Sequence, residues 1–368
     1  MDPQPGTPVP TPAANPPHRQ TVQLPEGPLR VVVEHPRGFW GRMGTRFMWV
    51  ALVVMLVVIF NQQAMYREYF KQPEDEISEK YHSLSKTASN KIAIIEVDGA
   101  IMSGEGFAKQ QIDRVREDKD VVAVVLRVNS PGGTVTGSDY IYHHLKELLE
   151  EKKIPMVVSM GSLAASGGYY VSMAVGDGEK RIYAEPTTWT GSIGVIIPHY
   201  DVSGLLEKWN VTDDSIASGS MKQMLSPTRH LDEAEREKEQ AVVQNLVNEC
   251  FADFKELVLK SRAALRNDQA LQDTVFTGQI FTAKQAKEYG LIDEFGFIED
   301  AIGRAAELAH LSTDNVRVVK YKQPSTLSEL FGASAAVRGS AQMDVARLLD
   351  LTAPRAYFLC TWLPSVMQ

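Results

Sequence analysis

The chain has 368 residues, of which 44% are hydrophobic, and this is enough for one large folded domain or two ordinary ones. The formal net charge of -8 argues against a nucleic-acid partner, because phosphate binding requires a basic surface. No HExxH or CxxC sequence occurs, so we expect no metal and no other cofactor. Cys250 and Cys360 form either free thiols or one long-range disulfide, and buried free thiols are favoured.

Residues 1–45 are predicted to be a disordered tail, because proline is frequent there and apolar residues are too few to build a core. An unbroken apolar run follows at 47–60 (FMWVALVVMLVVIF). This run is shorter than the ~20 residues that span a bilayer. The polar residues that follow it and the aromatic residues at its ends, which suit the membrane interfaces, extend the helix to a spanning length. A core helix would carry a polar face, and a cleaved signal sequence would be followed by small residues. Neither pattern is present, so we predict an uncleaved transmembrane helix at 46–66.

A transmembrane helix makes the lipid bilayer an expected partner of this chain. The charges that flank the apolar run predict its orientation in that bilayer. Four arginines precede it closely, whereas the segment after it soon becomes acidic. The four are Arg30, Arg37, Arg42 and Arg46. By the positive-inside rule the N-terminus is cytoplasmic, and the chain beyond residue 66 is extracytoplasmic. Residues 67–89 are predicted to form a polar stalk.

From residue 90 to 321 predicted strands alternate with predicted helices, which indicates a layered α/β catalytic domain. Near-continuous apolar runs predict strands that are buried on both faces. The predicted strands are 91–101, 121–129, 155–161, 181–186 and 315–321. The predicted helices are 107–118, 138–153 (with Ser138 as N-cap), 162–175, 231–265 and 297–309, and a short one starts at Thr282. Residues 322–368 are a C-terminal tail.

Two glycine-rich segments suggest acyl-transfer chemistry. NSPGG at 129–133 follows a predicted strand, where the ligands of parallel sheets bind, although an ordinary tight turn explains it equally well. Ser166 lies in AASGGYY (164–170) at a predicted helix start. There free N–H groups and the positive end of the helix dipole would stabilise an oxyanion, with the Gly167 N–H as one donor. Close helix packing is the simpler explanation of the small residues around this serine.

Lys222 is the candidate base for Ser166. A lysine removes a proton only when it is neutral, and that requires burial or a nearby cation. Its neighbours in SGSMKQMLSP are Met221, Met224 and Leu225, so partial burial is expected. A single lysine is usually a solvated surface residue, and only the combination with the serine and glycine segments favours a Ser–Lys dyad.

Five segments together resemble the signal peptide peptidase A family of membrane-bound serine proteases, in its short form. They are LRVNSPGG (126–133), AASGGYY (164–170), TGSIGV (190–195), SGSMKQMLSPTR (218–229) and GQIFTAKQAKEYGLID (278–293). The resemblance implies a Clp protease/crotonase-like fold of repeated β-β-α units. It also implies Ser166 as the nucleophile, Lys222 as the general base, Gly133 and Gly167 as the oxyanion hole, and Ser192 as the residue that orients the lysine.

The resemblance further implies hydrophobic peptides, such as signal-peptide remnants, as substrates. It implies a homo-oligomeric ring or dome in which the lysine can reach the serine of a neighbouring subunit. The loop at 175–182 is longer than the family's pattern, and the tail has no counterpart in it. The end of the tail, RAYFLCTWLPSVMQ (355–368), is strongly apolar. Docking on a subunit surface is the simpler interpretation, and an inhibitory strand in the peptide groove is the alternative.

Three other functions remain open. A Clp-type protease would use a histidine, and His199 and His230 lie near the relevant motifs, although both are isolated in sequence. A catalytically silent membrane scaffold of the same fold is the second alternative. A crotonase-type acyl-CoA enzyme is the third, but it would not need Ser166. Separate substitution of Lys222 and His199 distinguishes the first alternative from the dyad.

Overall fold

The computed structural model describes residues 39–69, 77–322 and 356–359. The chain divides into two units, residues 1–70 and 71–368. The first contains α1 (Phe39–Tyr69), whose segment Arg46–Gln63 has a mean hydropathy of 1.6 and no buried part. By length and composition this helix can cross a membrane. It begins earlier than predicted, because residues 39–45, assigned from the sequence to the disordered tail, continue the helix without a break.

The second unit is a mixed α/β structure. Its strands are β1 (Ser78–Leu84), β2 (Lys91–Asp98), β3 (Val121–Ser130), β4 (Gly132–Thr134), β5 (Met156–Ala165), β6 (Ile182–Ala184), β7 (Trp189–Gly191), β8 (Ile280–Thr282), β9 (Glu294–Phe295), β10 (Arg317–Lys322) and β11 (Tyr357–Leu359). Its helices are α2 (Phe107–Glu117), α3 (Val135–Lys152), α4 (Gly167–Ser172), α5 (Ser203–Lys208), α6 (Glu233–Ser261), α7 (Ala263–Arg266), α8 (Gln269–Val275), α9 (Ala283–Glu288) and α10 (Ile298–Leu308).

The main sheet follows the order β1-β10-β2-β3-β5-β6-β9, and all its neighbours are parallel except β1 and β10. β2, β3 and β5 are buried on both faces, as their unbroken apolar sequences predicted. One face packs against α10 and the other against the core that contains α2, α3 and α4. The expected layered α/β domain is therefore confirmed within the described residues.

The sheet begins earlier in the chain than predicted. Residues 67–89 were expected to form a polar stalk, but Ser78–Leu84 form β1 and pair antiparallel with β10. This strand is half-exposed and largely polar, because it covers the edge of the sheet and needs few buried side chains. Its sequence consequently lacks the apolar signal that identified the inner strands.

Two helix boundaries near the glycine segments also differ from prediction. Thr134, not Ser138, caps α3, since its hydroxyl accepts a hydrogen bond from Gly137 N. Ser138 lies inside the helix and donates to the Thr134 carbonyl. The predicted helix 162–175 is wrong in its first turn, because β5 continues to Ala165 while Leu163–Ala165 pair with β7.

α6 begins with a capping box between Asp232 and Glu235, close to the predicted start. Its last part is deeply buried, through Phe254, Leu257 and Val258, whereas Glu239 is the one buried residue nearer its start. In the middle of the helix, the apolar side chains of Val242 and Leu246 are 39% and 47% exposed. Near the C-terminal end of the domain, Thr282 caps α9 as predicted.

A buried ion pair fixes the end of α6 to the sheet. Arg262 donates to Asp293 Oδ1 at 2.6 Å and to the Gly290 carbonyl at 2.8 Å. Asp293 also accepts hydrogen bonds from the backbone of Arg181 and Ile182 at the start of β6. Removing Arg262 leaves the largely buried Asp293 carboxylate without its opposite charge.

We therefore expect Arg262→Ala to lower the free energy of unfolding by about 3 kcal/mol. Lys260→Ala, two residues earlier in an exposed pair with Glu256, is the matched control and should leave the urea midpoint unchanged. Equal losses in both variants would show that the buried pair has no special role. The measurement is urea unfolding followed by tryptophan fluorescence.

Candidate active site

Ser166 occupies a sharp turn between β5 and α4. Its backbone has φ 54° and ψ -115°, an unusual conformation for a residue with a side chain. The turn is held at both ends, because Ser166 N donates to Gly191 O and Tyr170 N donates to Ser166 O, each at 2.8 Å. The hydroxyl is buried and has no hydrogen-bond partner among the described residues. A strained turn that presents an unpartnered hydroxyl is the geometry expected of a serine nucleophile.

Gly133 and Gly167 lie beside this serine. Ile101 N donates to Gly132 O, and Thr134 N donates to Ile101 O, both at 2.8 Å, so Ile101 holds the chain on either side of Gly133. A Cβ on Gly133 would lie 1.9 Å from Ile101 O, which only glycine avoids. A Cβ on Gly167 would lie 3.1 Å from Gly133 N. The two predicted oxyanion donors are therefore brought together with Ser166.

Two hydroxyls that were not predicted to belong to the site, those of Ser130 and Ser138, shape this glycine loop. Ser130, fully buried, donates to the Gly99 carbonyl at 2.6 Å and accepts from Gly132 N at 3.1 Å. The Ser138 Oγ would lie 2.4 Å from a Cβ on Gly167, so it limits position 167 to glycine. The first lies inside the NSPGG motif, and the motif itself was the signal for it. Ser138 lies outside that motif, in α3, and no sequence pattern indicated that it contacts the glycine loop.

Ser192 is also close to the nucleophile. It follows Gly191, which accepts the Ser166 N–H, and its own N–H donates to Gln279 O at 2.7 Å. The residue has φ 52° and is largely buried. It lines a cavity of about 560 Å³ together with Ile193, Phe276 and other residues.

Lys222 is not brought to Ser166 within the chain. It lies exposed in the turn between α5 and α6, where it lines a separate cavity with Leu206, Val211 and other residues. The Ser166 hydroxyl has no hydrogen-bond partner in the described part of the chain, so the Lys222 amine is not hydrogen-bonded to it there. The expected partial burial of Lys222 is therefore wrong for a single subunit, although Met221, Met224 and Leu225 are half-buried as expected.

Residues 356–359 of the C-terminal tail lie in an extended groove beside the serine. β11 pairs antiparallel with β4, with Phe358 opposite Gly133. On the opposite edge, Tyr357 exchanges two hydrogen bonds with Ile196, at 2.9 and 3.0 Å. A short strand bonded on both edges is the arrangement in which a sheet binds an extended peptide. Residues 357–359 are therefore an extended strand, while the docking role and the inhibitory role of the tail both stay predictions.

The two candidate histidine bases and the two cysteines do not join this site. His199 and His230 are exposed, and neither is hydrogen-bonded to Ser166. Cys250 is a free, half-buried thiol, and Cys360 lies outside the described residues. Burial, reinforced by Asp253 and Glu249, raises the pKa of the Cys250 thiol and disfavours the reactive thiolate.

One group of side chains in the described chain could hold a metal. His143, His144 and Glu147 on α3 have ligand atoms within 4.8 Å of one another. Glu147 already accepts from His144 at 2.9 Å and lies 3.7 Å from the Arg116 guanidinium. This cation competes with a metal for the carboxylate, and none of the three side chains bonds to Ser166. The absence of a metal requirement stays a prediction.

Comparison with known proteins identifies the family of this chain. Residues 148–312 match the sequence profile of peptidase family S49. A putative protease of Synechocystis sp. is 40% identical over 244 residues, 66% of this chain and 83% of the relative. The putative signal peptide peptidase SppA of Enterococcus faecium is 37% identical over 267 residues, 68% of this chain and 72% of the relative.

Protease 4 of Salmonella typhi is 36% identical over 233 residues, 60% of this chain but only 35% of that longer protein. The protein is a serine peptidase, a hydrolase of peptide bonds. It belongs to peptidase family S49, the signal peptide peptidase A family, which confirms the resemblance drawn from the five sequence segments.

The close approach of Ile101 to Gly133 generates a prediction. Gly133→Ala forces the loop away from Ile101 and should lower kcat by about 10²- to 10³-fold, the usual effect of losing one oxyanion donor. Gly303→Ala in α10, where a Cβ meets no atom within 4 Å, is the matched control and should keep full activity. Hydrolysis of a short apolar peptide ester measures both variants. Full activity of a folded Gly133→Ala protein would rule out a role for this loop in catalysis.

Proposed function

We propose that the chain is a membrane-anchored endopeptidase that cleaves hydrophobic peptides, such as signal-peptide remnants, with Ser166 as nucleophile and Lys222 as general base. The observation that carries this proposal is the buried, unpartnered hydroxyl of Ser166 beside Gly133 and Gly167. The signal peptide peptidase name of the Enterococcus faecium relative supports the substrate class.

The proposed reaction has two acyl-transfer steps. Ser166 Oγ attacks the scissile carbonyl while its proton passes to the Lys222 amine. The N–H groups of Gly133 and Gly167 receive the oxyanion, and collapse of the tetrahedral intermediate expels the leaving amine with a proton from the lysine. Water then attacks the acyl-enzyme, returns a proton through Lys222, and releases the acid product and free Ser166. Ser192, beside the nucleophile, would hold the lysine amine by a hydrogen bond.

The lysine is proposed to come from a neighbouring subunit of a homo-oligomeric ring or dome. Lys222 is exposed and is not hydrogen-bonded to Ser166 in the same chain, so an amine from another subunit would complete the dyad. The exposed apolar side chains of Val242 and Leu246 on α6 support a contact with another subunit, since such residues gain from burial. A monomer would then be inactive.

The membrane arrangement is also a proposal. α1 would anchor the protein with its N-terminus in the cytoplasm, as its preceding arginines indicate, and the catalytic domain would be extracytoplasmic. The catalytic domain would start at β1 rather than at residue 90, and the tail from 322 would act as an inhibitory segment. The finer fold of repeated β-β-α units is supported by the succession β3, β4, α3.

Peptide-ester hydrolysis by detergent-solubilised full-length variants tests the dyad. Ser166→Ala and Lys222→Ala should each lose activity, and wild-type activity should rise at alkaline pH because the base must be deprotonated. His199→Ala is the control and should remain active. An active Lys222→Ala protein together with an inactive His199→Ala protein would establish the Clp-type alternative. An inert but correctly assembled wild type would favour the silent scaffold.

Mixing the two inactive variants tests whether the dyad is shared between subunits. In a randomly mixed ring about a quarter of the sites combine an intact serine with an intact lysine from its neighbour, so activity should reappear. Exchange of subunits is verified by a tag on one variant. Failure of verified mixed oligomers to hydrolyse the ester would mean that both residues must belong to one chain.

A further inference from the structure

The turn that carries Lys222 is contacted on both sides by one ion pair. Arg229 Nη1 donates to Glu239 Oε1 on α6 at 2.9 Å and to the Ser220 carbonyl at 3.4 Å. The other oxygen of this carboxylate, Glu239 Oε2, accepts the Leu225 N–H at 3.3 Å. Ser220 precedes Lys222 by two residues and Leu225 follows it by three. The Arg229–Glu239 pair therefore bonds to the backbone before and after the lysine.

The carboxylate of this pair is buried at an unusual place. The Glu239 side chain is 7% exposed and that of Arg229 is 18% exposed, although the first half of α6 otherwise buries no residue. Burial of a charge is costly even when the charge is paired, so a buried ion pair is weak evidence for stability. Its best-attested role is to select one arrangement of the chain. Here the arrangement that it selects is that of the Lys222 turn.

The backbone next to the lysine is strained at the point where the carboxylate bonds to it. Leu225 has φ 61°, in the left-handed region that a residue with a side chain rarely adopts. Such a conformation persists only where its surroundings enforce it. The bond from Leu225 N to Glu239 acts directly on this residue, and Ser226 N closes the turn on Gln223 O at 3.0 Å. Without the carboxylate the turn would relax, and Lys222 would lose its fixed position.

The pair also connects the turn to a rigid element. Elsewhere the segment bonds to a loop, since Thr228 Oγ1 donates to Asp213 Oδ2 at 2.5 Å, and residues 211–217 are mostly exposed. Solvent-exposed loops of this kind open easily and fix little. Glu239, by contrast, lies on α6, a regular helix of 29 residues whose other end is buried in the core. The helix thus provides a fixed reference for the turn.

We propose that Arg229 and Glu239 are positioning residues that fix the turn of Lys222 on α6, so that the amine is presented at a constant place on the subunit surface. In the proposed enzyme this amine must reach a serine of another subunit, and any displacement of the turn is passed on to it. The pair carries no net charge, so it adds no field that favours the protonated lysine. The inference rests on the proposed function of Lys222 and adds the residues that place it.

Peptide-ester hydrolysis by detergent-solubilised full-length variants tests this role. Glu239→Ala and Arg229→Ala should each lower kcat about 10- to 100-fold and change KM less than about twofold, because the base is misplaced while the groove is intact. The double variant should lose no more than the weaker single variant, since both changes remove one device. Arg236→Ala, which breaks an exposed pair with Asp201 on the same helix, is the matched control and should keep the wild-type kcat. A folded Glu239→Ala protein with the wild-type kcat would overturn the proposal.

A charge-swapped variant separates positioning from plain stabilisation. Arg229→Glu/Glu239→Arg keeps two opposite charges face to face but removes both backbone contacts. A guanidinium at position 239 cannot accept the Leu225 N–H, and a carboxylate at position 229 cannot donate to Ser220 O. The melting temperature should lie above those of the two single variants, whereas kcat should stay low. Recovery of kcat together with the melting temperature would show that the pair acts through stability alone, and would overturn the proposal.

Hydrogen exchange tests the geometry without reference to the chemistry. Mass spectrometry of peptides that cover 218–226 should show the Leu225 amide exchanging about 10- to 100-fold faster in Glu239→Ala, the effect of losing a hydrogen bond to a charged group. Arg236→Ala should leave this exchange unchanged. Wild-type exchange in Glu239→Ala would show that the carboxylate does not fix the turn, and would overturn the inference.

Lys222→Ala, assayed beside these variants, distinguishes failure of the inference from failure of the proposed function. If Lys222→Ala is inactive while Glu239→Ala keeps the wild-type kcat, the dyad stands and the positioning role alone is wrong. If Lys222→Ala is fully active, the dyad is wrong and the positioning role is overturned with it. An inactive Lys222→Ala together with a slow Glu239→Ala and a fast-exchanging turn supports both.

Discussion

The contact between the Ile101 backbone and the glycine loop determines the geometry of the whole site. Ile101 bonds to the loop on both sides of Gly133, and its carbonyl occupies the space that a side chain on Gly133 would need. One edge of β4 is consequently tied to the body of the protein. The other edge is left to pair with an incoming strand and lies against the turn that carries Ser166. The groove and the pairing of residues 357–359 follow from this anchoring, which also keeps Gly133 beside the turn that carries Ser166.

The inner part of the fold was predictable because it obeys simple rules of burial. β2, β3 and β5 have nearly unbroken apolar sequences, and the structure buries them on both faces. β1 escaped prediction because an edge strand needs few apolar side chains. The first turn of the predicted helix 162–175 is a strand because pairing with β7, a long-range contact, outweighs the local preference of small residues.

The candidate site was predictable where a motif is local and less so where it depends on assembly. Gly133, Ser166 and Gly167 come from two short segments, and the structure brings them together as the motifs suggested. Ser192 comes directly after β7, and it lies near Ser166 because β7 pairs with the end of β5. Lys222 was expected to be partly buried from its apolar neighbours, but within one chain these neighbours are only half-covered and the amine is in solvent. No local sequence pattern indicates which residues a second subunit would bury.

The two-sided hydrogen bonding of residues 356–359 has a consequence for the physical state of a ligand. A groove that offers backbone partners on both edges, from β4 and from Ile196, accepts only an extended chain. A peptide that crosses a bilayer is helical, because every backbone polar group must be satisfied internally where water is absent. Such a peptide would have to unwind before it could enter, and unwinding is least costly at its ends, where the chain reaches water. Because of this backbone pairing, cleavage would require that a segment of the peptide leave the lipid and unwind, in addition to having a suitable sequence.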